Sequence, residues 1–120
     1  MDKNLDIQQK SKVFARRIIM LSKHLLSKNP KDIVVYIMVK QLMRSGTSVG
    51  ANVRESKSAQ STPDFNSKLQ IALKEGDETH YWLELLHESE YLTEKEFESI
   101  ITDCEHVNGT IVNILKNNKK

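Results

Sequence analysis

An all-α fold, an antiparallel up-down-up-down four-helix bundle, is predicted for this 120-residue chain by three observations. Helix-start signals divide the chain into four segments. Apolar residues recur at spacings of three and four within them, and the connections are two to six residues long, which forces consecutive helices to run antiparallel.

The first helix is predicted over about residues 6–28. Ile7, Ser11, Phe14, Ile18, Leu21 and Leu25 alternate spacings of four and three, so they share one stripe on the helix surface. The second, over about 31–58, starts at Asn29-Pro30-Lys31-Asp32, where an N-cap residue precedes a proline at the first helical position and an acid reaches back from the third. Its apolar run Ile33 to Val39 reads as a core segment, far short of the roughly 20 residues a membrane-spanning helix needs. Thr62-Pro63-Asp64 repeats the same logic at the start of the third helix, over about 63–88, whose stripe is Leu69, Ala72, Gly76, Thr79, Leu83 and Leu86. The fourth, over about 94–117, opens with the capping box Thr93-Glu94-Lys95-Glu96 and carries Phe97, Ile101, Cys104, Val107 or Asn108, Ile111 and Leu115. The four helices make one domain, 1–120, of a length that buries about 60 to 70% of its unfolded surface and supports a single core.

The composition, with 38% apolar and 28% charged residues, is that of an ordinary globular helical protein and excludes disordered and fibrous classes. A lone cysteine, Cys104, cannot form an internal disulfide, and a polar N-terminus, Met1-Asp2-Lys3-Asn4, leads into the chain; together they point to a reducing cytoplasm, with no membrane partner.

The net charge of +2 conceals a sorting by segment. Residues 1–44 carry ten Lys and Arg against three acids, whereas residues 61–106 carry three against twelve; the tail 107–120 is basic again. Such polarity suits a basic face for nucleic acid, a contact between copies of the chain, or neutralisation of one half by the other within a single bundle. The candidate nucleic-acid-binding residues are Lys10, Lys12, Arg16, Arg17, Lys23 and Lys28 on the first helix, with Lys40 and Arg54 on the second. Few aromatics are left outside the core and caps to stack on bases, so any binding would be shape-based and salt-dependent.

Two further features mark the second helix. Gly46 and Gly50 each cost about 1 kcal/mol in a helix interior, and lying four apart they share a face on which another helix backbone can approach closely. Gln41, Arg44, Ser48, Asn52 and Glu55 form a separate polar stripe, expected to be a partly buried hydrogen-bonded network in which Glu55 or Glu78 neutralises Arg44.

No catalytic constellation emerges, and no cofactor is expected. Glu84-Leu85-Leu86-His87 matches the Glu-x-x-His element of di-metal bundles, and Asp103-Cys104-Glu105-His106 is a loose second, but the first two helices lack the partner carboxylates. Cys104 lies on a core stripe and no motif links it to His24, His80, His87 or His106; Gly46 and Gly50 lack the Gly-Lys-Ser/Thr ending of a phosphate loop. Trp82 is expected to pack in the core or against a neighbouring subunit.

Arg44-Ser45-Gly46-Thr47-Ser48-Val49-Gly50-Ala51-Asn52, then Asp64-Phe65, Ile71-Ala72-Leu73-Lys74-Glu75, Glu78-Thr79 and Tyr81-Trp82-Leu83-Glu84-Leu85-Leu86, resembles the bacterial S23, or 23S rRNA intervening-sequence, proteins. The resemblance covers most of the chain. Glu55 carries over, but Ser56 stands where many relatives have glycine, leaving the end of the second helix unsettled. It implies a four-helix bundle assembled as a ring-like homo-oligomer, a pentamer, in a family tied by genetic context to split ribosomal RNA genes. A similar bundle is the accessory protein of diversity-generating retroelements, a basic pentameric barrel held to engage nucleic acid and a reverse transcriptase. The expected function is therefore a non-catalytic homo-oligomer associating with RNA or DNA through the first two helices; the alternative is a scaffold that binds another protein.

Overall fold

A computed structural model describes residues 1–118; residues 119 and 120, the last two lysines of the basic tail, lie outside the described residues. Four helices, α1 (Ile7–Lys28), α2 (Ile33–Ser56), α3 (Thr62–Glu88) and α4 (Glu94–Asn117), form a bundle 49 × 24 × 20 Å in extent. The tight linkers 29–32, 57–61 and 89–93 reverse the chain each time. Each helix packs on the next, and α4 closes back on α1 over the smallest contact.

The starts of α1 and α4 are reciprocal capping boxes. Asp6 Oδ1 accepts from the Gln9 amide at 2.8 Å while Gln9 Oε1 accepts from the Asp6 amide at 3.1 Å, and Thr93 with Glu96 repeats the exchange. Two starts differ from the sequence prediction. Asp32, not Asn29, caps α2, accepting from the Val34 and Val35 amides at 2.9 and 3.3 Å. Its second oxygen accepts the Tyr91 hydroxyl at 2.6 Å, a bond that does most to lower the Asp32 pKa. Pro30 thus belongs to the linker, and a residue 59 positions away selects the cap. At α3, Ser61 rather than Thr62 is the cap, and Pro63 falls within the first turn. The end of α2 comes at Ser56, two residues before the predicted one.

The core is continuous. All six α3 stripe residues are buried, as are Ser11, Phe14, Ile18 and Leu25 of α1 and Ile101, Cys104, Val107 and Ile111 of α4, with Ile7, Leu21, Phe97 and Leu115 packed at its margin. Val35, Val39, Leu42, Val49 and Val53 complete it from α2.

The apolar run of α2 is not the core segment it was expected to be. Ile33 is 65% exposed, Val34 51%, Tyr36 50% and Ile37 54%, because they lie out of phase with Val35 and Val39 on the same helix.

Candidate nucleic-acid interface

The structure sorts the eight candidate cations by their neighbours. Lys12, Arg16, Lys23, Lys28, Lys40 and Arg54 are exposed and form no ion pair among the described residues. The other two do not belong with them. Lys10 is buried, on the side of α1 that meets α4, where its charge, after burial itself, helps lower the pKa of His106. Arg17 points across to α4, with Nη1 donating to Asp103 Oδ2 at 2.6 Å and to the Ser99 carbonyl at 3.2 Å, and Nη2 donating to Ser99 Oγ at 2.9 Å. Since Asp103 is buried, Arg17 is a structural counter-ion, a role shared with the Met1 ammonium 3.6 Å from the other carboxylate oxygen, and a ligand could take it only by breaking that pair.

Gly46 and Gly50 face α1. A Cβ on Gly46 would stand 2.9 Å from Cγ1 and Cγ2 of Ile18, and one on Gly50 would stand 3.3 Å from the Ser11 carbonyl oxygen. The two helices therefore meet along this seam with no room for a side chain on Gly46, and a furrow lined partly by small residues runs above it. At one end a hollow of about 220 Å³ is lined by Gln8, Lys12, Ala15, Thr47, Gly50, Ala51 and Arg54. Thr47 joins it to a second hollow of about 340 Å³, lined by Leu26, Tyr36, Val39, Lys40, Met43 and Arg44. Lys40 Nζ stands 5.7 Å from the centroid of the Tyr36 ring, within cation–π range.

The polar stripe of α2 is not one buried network. Ser48 Oγ donates to the Arg44 carbonyl at 2.7 Å and Asn52 Nδ2 to the Ser48 carbonyl at 2.9 Å, so both serve their own helix backbone, and Gln41 is only partly buried. Arg44 is exposed and pairs with α3, donating to Glu75 at 3.2 Å and to Glu78. Glu55 is too far along α2 for Arg44 and lies 3.6 Å from Lys68 instead. The buried polar contact between these helices comes from residues outside the stripe, with Thr79 Oγ1 donating to Ser45 Oγ at 2.9 Å.

Of the residues considered for catalysis, Cys104 is engaged in packing and His24, His80 and His87 in contacts with carboxylates. Burial pushes the Cys104 thiol up to about 12, so the nucleophilic thiolate is scarce at neutral pH, and its Sγ faces the Gly76 carbonyl at 3.6 Å. His80 bridges Glu84 and Glu105 at 3.1 and 3.0 Å, His87 meets Glu94 at 2.8 Å, and His24 meets Glu96 at 3.1 Å. Among the described residues no three His, Cys, Asp or Glu side chains converge on a point where a metal could sit. Trp82 packs partly buried against the core and edge-on to Tyr81, with ring centroids 5.3 Å apart. No helix among the described residues is long and apolar enough to cross a membrane.

Sequence reasoning missed Tyr36 and the exposed apolar residues beside it. The signal was helical phase: Val35, Val39, Leu42, Gly46, Val49 and Val53 carry the spacing of the other stripes, which puts positions 33, 34, 36 and 37 outside.

A family model described as 23S rRNA-intervening sequence protein matches residues 3–113. Among solved structures, the chain is similar to a crystal structure of a protein with unknown function from the S23 ribosomal protein family of Bacteroides thetaiotaomicron VPI-5482. The two are 47% identical with a TM-score of 0.86, over 92% of this chain and 99% of that one. No curated protein matches.

Proposed function

The chain belongs to the 23S rRNA-intervening sequence protein family, also called the S23 ribosomal protein family, and from that premise we propose that it is a non-catalytic, self-associating protein that holds nucleic acid by its phosphates. The observation that carries this reading is the sorting of charge. Acidic helices α3 and α4 have their pick of cations, and they take Arg17, Arg44 and three histidines. Six cations of α1 and α2 still face solvent without a carboxylate among the described residues, and an anionic polymer is the ligand that such a surface attracts.

Self-association is supported by a separate surface. Val34 and Ile37 on α2, and Ile71 and Tyr81 on α3, are large apolar groups left exposed among the described residues. A second copy covers them in this proposal, with a closed ring of five as the expected form. Gathering the cations of several subunits would strengthen a contact that is weak for one.

Fluorescence anisotropy of labelled structured RNA and duplex DNA, titrated from low to physiological salt, tests the reading. The variant to set beside the wild type is Arg16→Glu/Lys23→Glu, since reversing Arg17 would break its pair with Asp103. Binding that falls steeply with salt and is lost in the variant supports it. Absence of binding at low salt sinks it and favours a scaffold whose exposed apolar residues meet another protein. Sedimentation of Ile37→Glu, expected to yield a smaller species of unchanged helicity, checks the self-association.

A further inference from the structure

The furrow between α1 and α2 has chemistry along its whole length. Lys12 and Arg54 face each other at one end across small residues, and Tyr36 and Lys40 mark the other. Lys23 stands three residues before Leu26, which lines the same furrow, and so falls on the α1 wall. None of these four cations has an acidic partner among the described residues. From Tyr36 to Arg54 the helical rise spans about 27 Å. The furrow is narrow, because α1 and α2 are drawn together at Gly46 and Gly50, and helices in contact lie about 8–10 Å apart. A duplex is a stiff rod too stout to enter a trough between two packed helices, so it could touch only the rims. A single strand fits between them, and a cationic groove tracking the backbone beside an exposed aromatic ring is what sequence-tolerant single-strand binding requires.

We propose that the α1–α2 furrow is a track for single-stranded nucleic acid, with the phosphodiester backbone held by Lys12, Lys23, Lys40 and Arg54 and a base stacked on Tyr36. The proposal rests on the nucleic-acid reading above and makes it specific in strandedness and place. Tyr36 is suited to the role because the residue is 50% exposed and lies on the α1 side of α2, away from Val34 and Ile37. Ala51, also exposed, forms part of the furrow lining, so a larger side chain there obstructs the track without altering charge or core.

The experiment is anisotropy at low salt with a labelled single-stranded RNA, the same strand in DNA, and the duplex of each. The proteins are the wild type, Tyr36→Ala, Tyr36→Phe, Ala51→Leu and, as a control outside the furrow, Lys95→Gln, each checked for helicity by circular dichroism. Single strands of RNA, DNA or both are expected to bind at least about 10-fold tighter than their duplexes, as backbone tracking with stacking implies. Tyr36→Ala should weaken single-strand binding about 5-fold or more, with Phe restoring it because the ring face is kept. Ala51→Leu should weaken it similarly, and Lys95→Gln should leave it unchanged. Wild-type binding that shows no preference for single strands, or that survives both Tyr36→Ala and Ala51→Leu, overturns the track and leaves the broader nucleic-acid reading standing. Absence of any binding overturns both.

Discussion

Helices α2 and α3 pack side by side with similar apolar stripes, yet they use their apolar residues differently. In α3 the stripe Leu69, Ala72, Gly76, Thr79, Leu83 and Leu86 is buried in full, and beyond it the exposed large apolar groups are Ile71 and Tyr81. In α2 the stripe is buried too, but Ile33, Val34, Tyr36, Ile37 and Met43 lie outside it and in the open. A helix can present only one face to a core. Apolar residues in a second phase stay outside that core, and an exposed group of them is what the proposed self-association would cover.

The sharpest way to break this comparison is truncation on each helix. Leu83→Ala in α3 is expected to cost about 2–5 kcal/mol in chemical denaturation, the range for a fully buried leucine, whereas Ile37→Ala in α2 should stay within about 0.5 kcal/mol for the dissociated chain. Comparable losses would mean that Ile37 contributes to the core after all. The seam on the other side of α2 is tested by Gly46→Val, which must displace Ile18 and should cost about 1–3 kcal/mol despite the better helix former. A glycine with open space around it, Gly109, sets the contrast: Gly109→Ala should stabilise by about 0.5–1 kcal/mol.

Between the two helices, Arg44→Ala removes exposed ion pairs to Glu75 and Glu78 and should cost less than about 1 kcal/mol, an effect that shrinks in added salt. A loss that ignores salt would show these pairs to be better shielded than their exposure indicates. The smallest effect belongs to His80 of α3. Burial lowers its pKa, but the carboxylates Glu105 and Glu84 outweigh burial, and the net direction is upward from the ordinary 6.5. A histidine with a raised folded-state pKa contributes stability that is fully present below its ordinary value and is lost as pH rises through the raised one. The melting temperature of the wild type relative to His80→Gln should therefore be highest in mild acid and converge at alkaline pH; a difference that grows with pH would reverse this assignment.

Much of the architecture was legible because helix starts and stripes are local. Thr93 and Glu96 are three residues apart, and the capping box they form needs nothing from elsewhere. The start of α2 was read wrongly because both Asn29 and Asp32 are competent caps, and the bond from Tyr91 that favours Asp32 joins distant parts of the chain. Of the surface, the basic character of α1 and α2 was legible. Of the two partners expected for Arg44, Glu78 on α3 is the one it meets. That Lys10 is buried and that Arg17 is bound to α4 was not legible, since burial and an ion pair depend on what another helix supplies.

The sequence by itself determined four helices, the core stripes of three of them, and an asymmetry of charge between the two halves, all consequences of spacing and local capping. Only the tertiary structure decided which apolar residues of α2 remain uncovered, how closely α1 meets α2, and which cations lack a counter-charge among the described residues. These depend on the rotation of each helix against its neighbours, which is fixed when the whole core closes and by no segment alone.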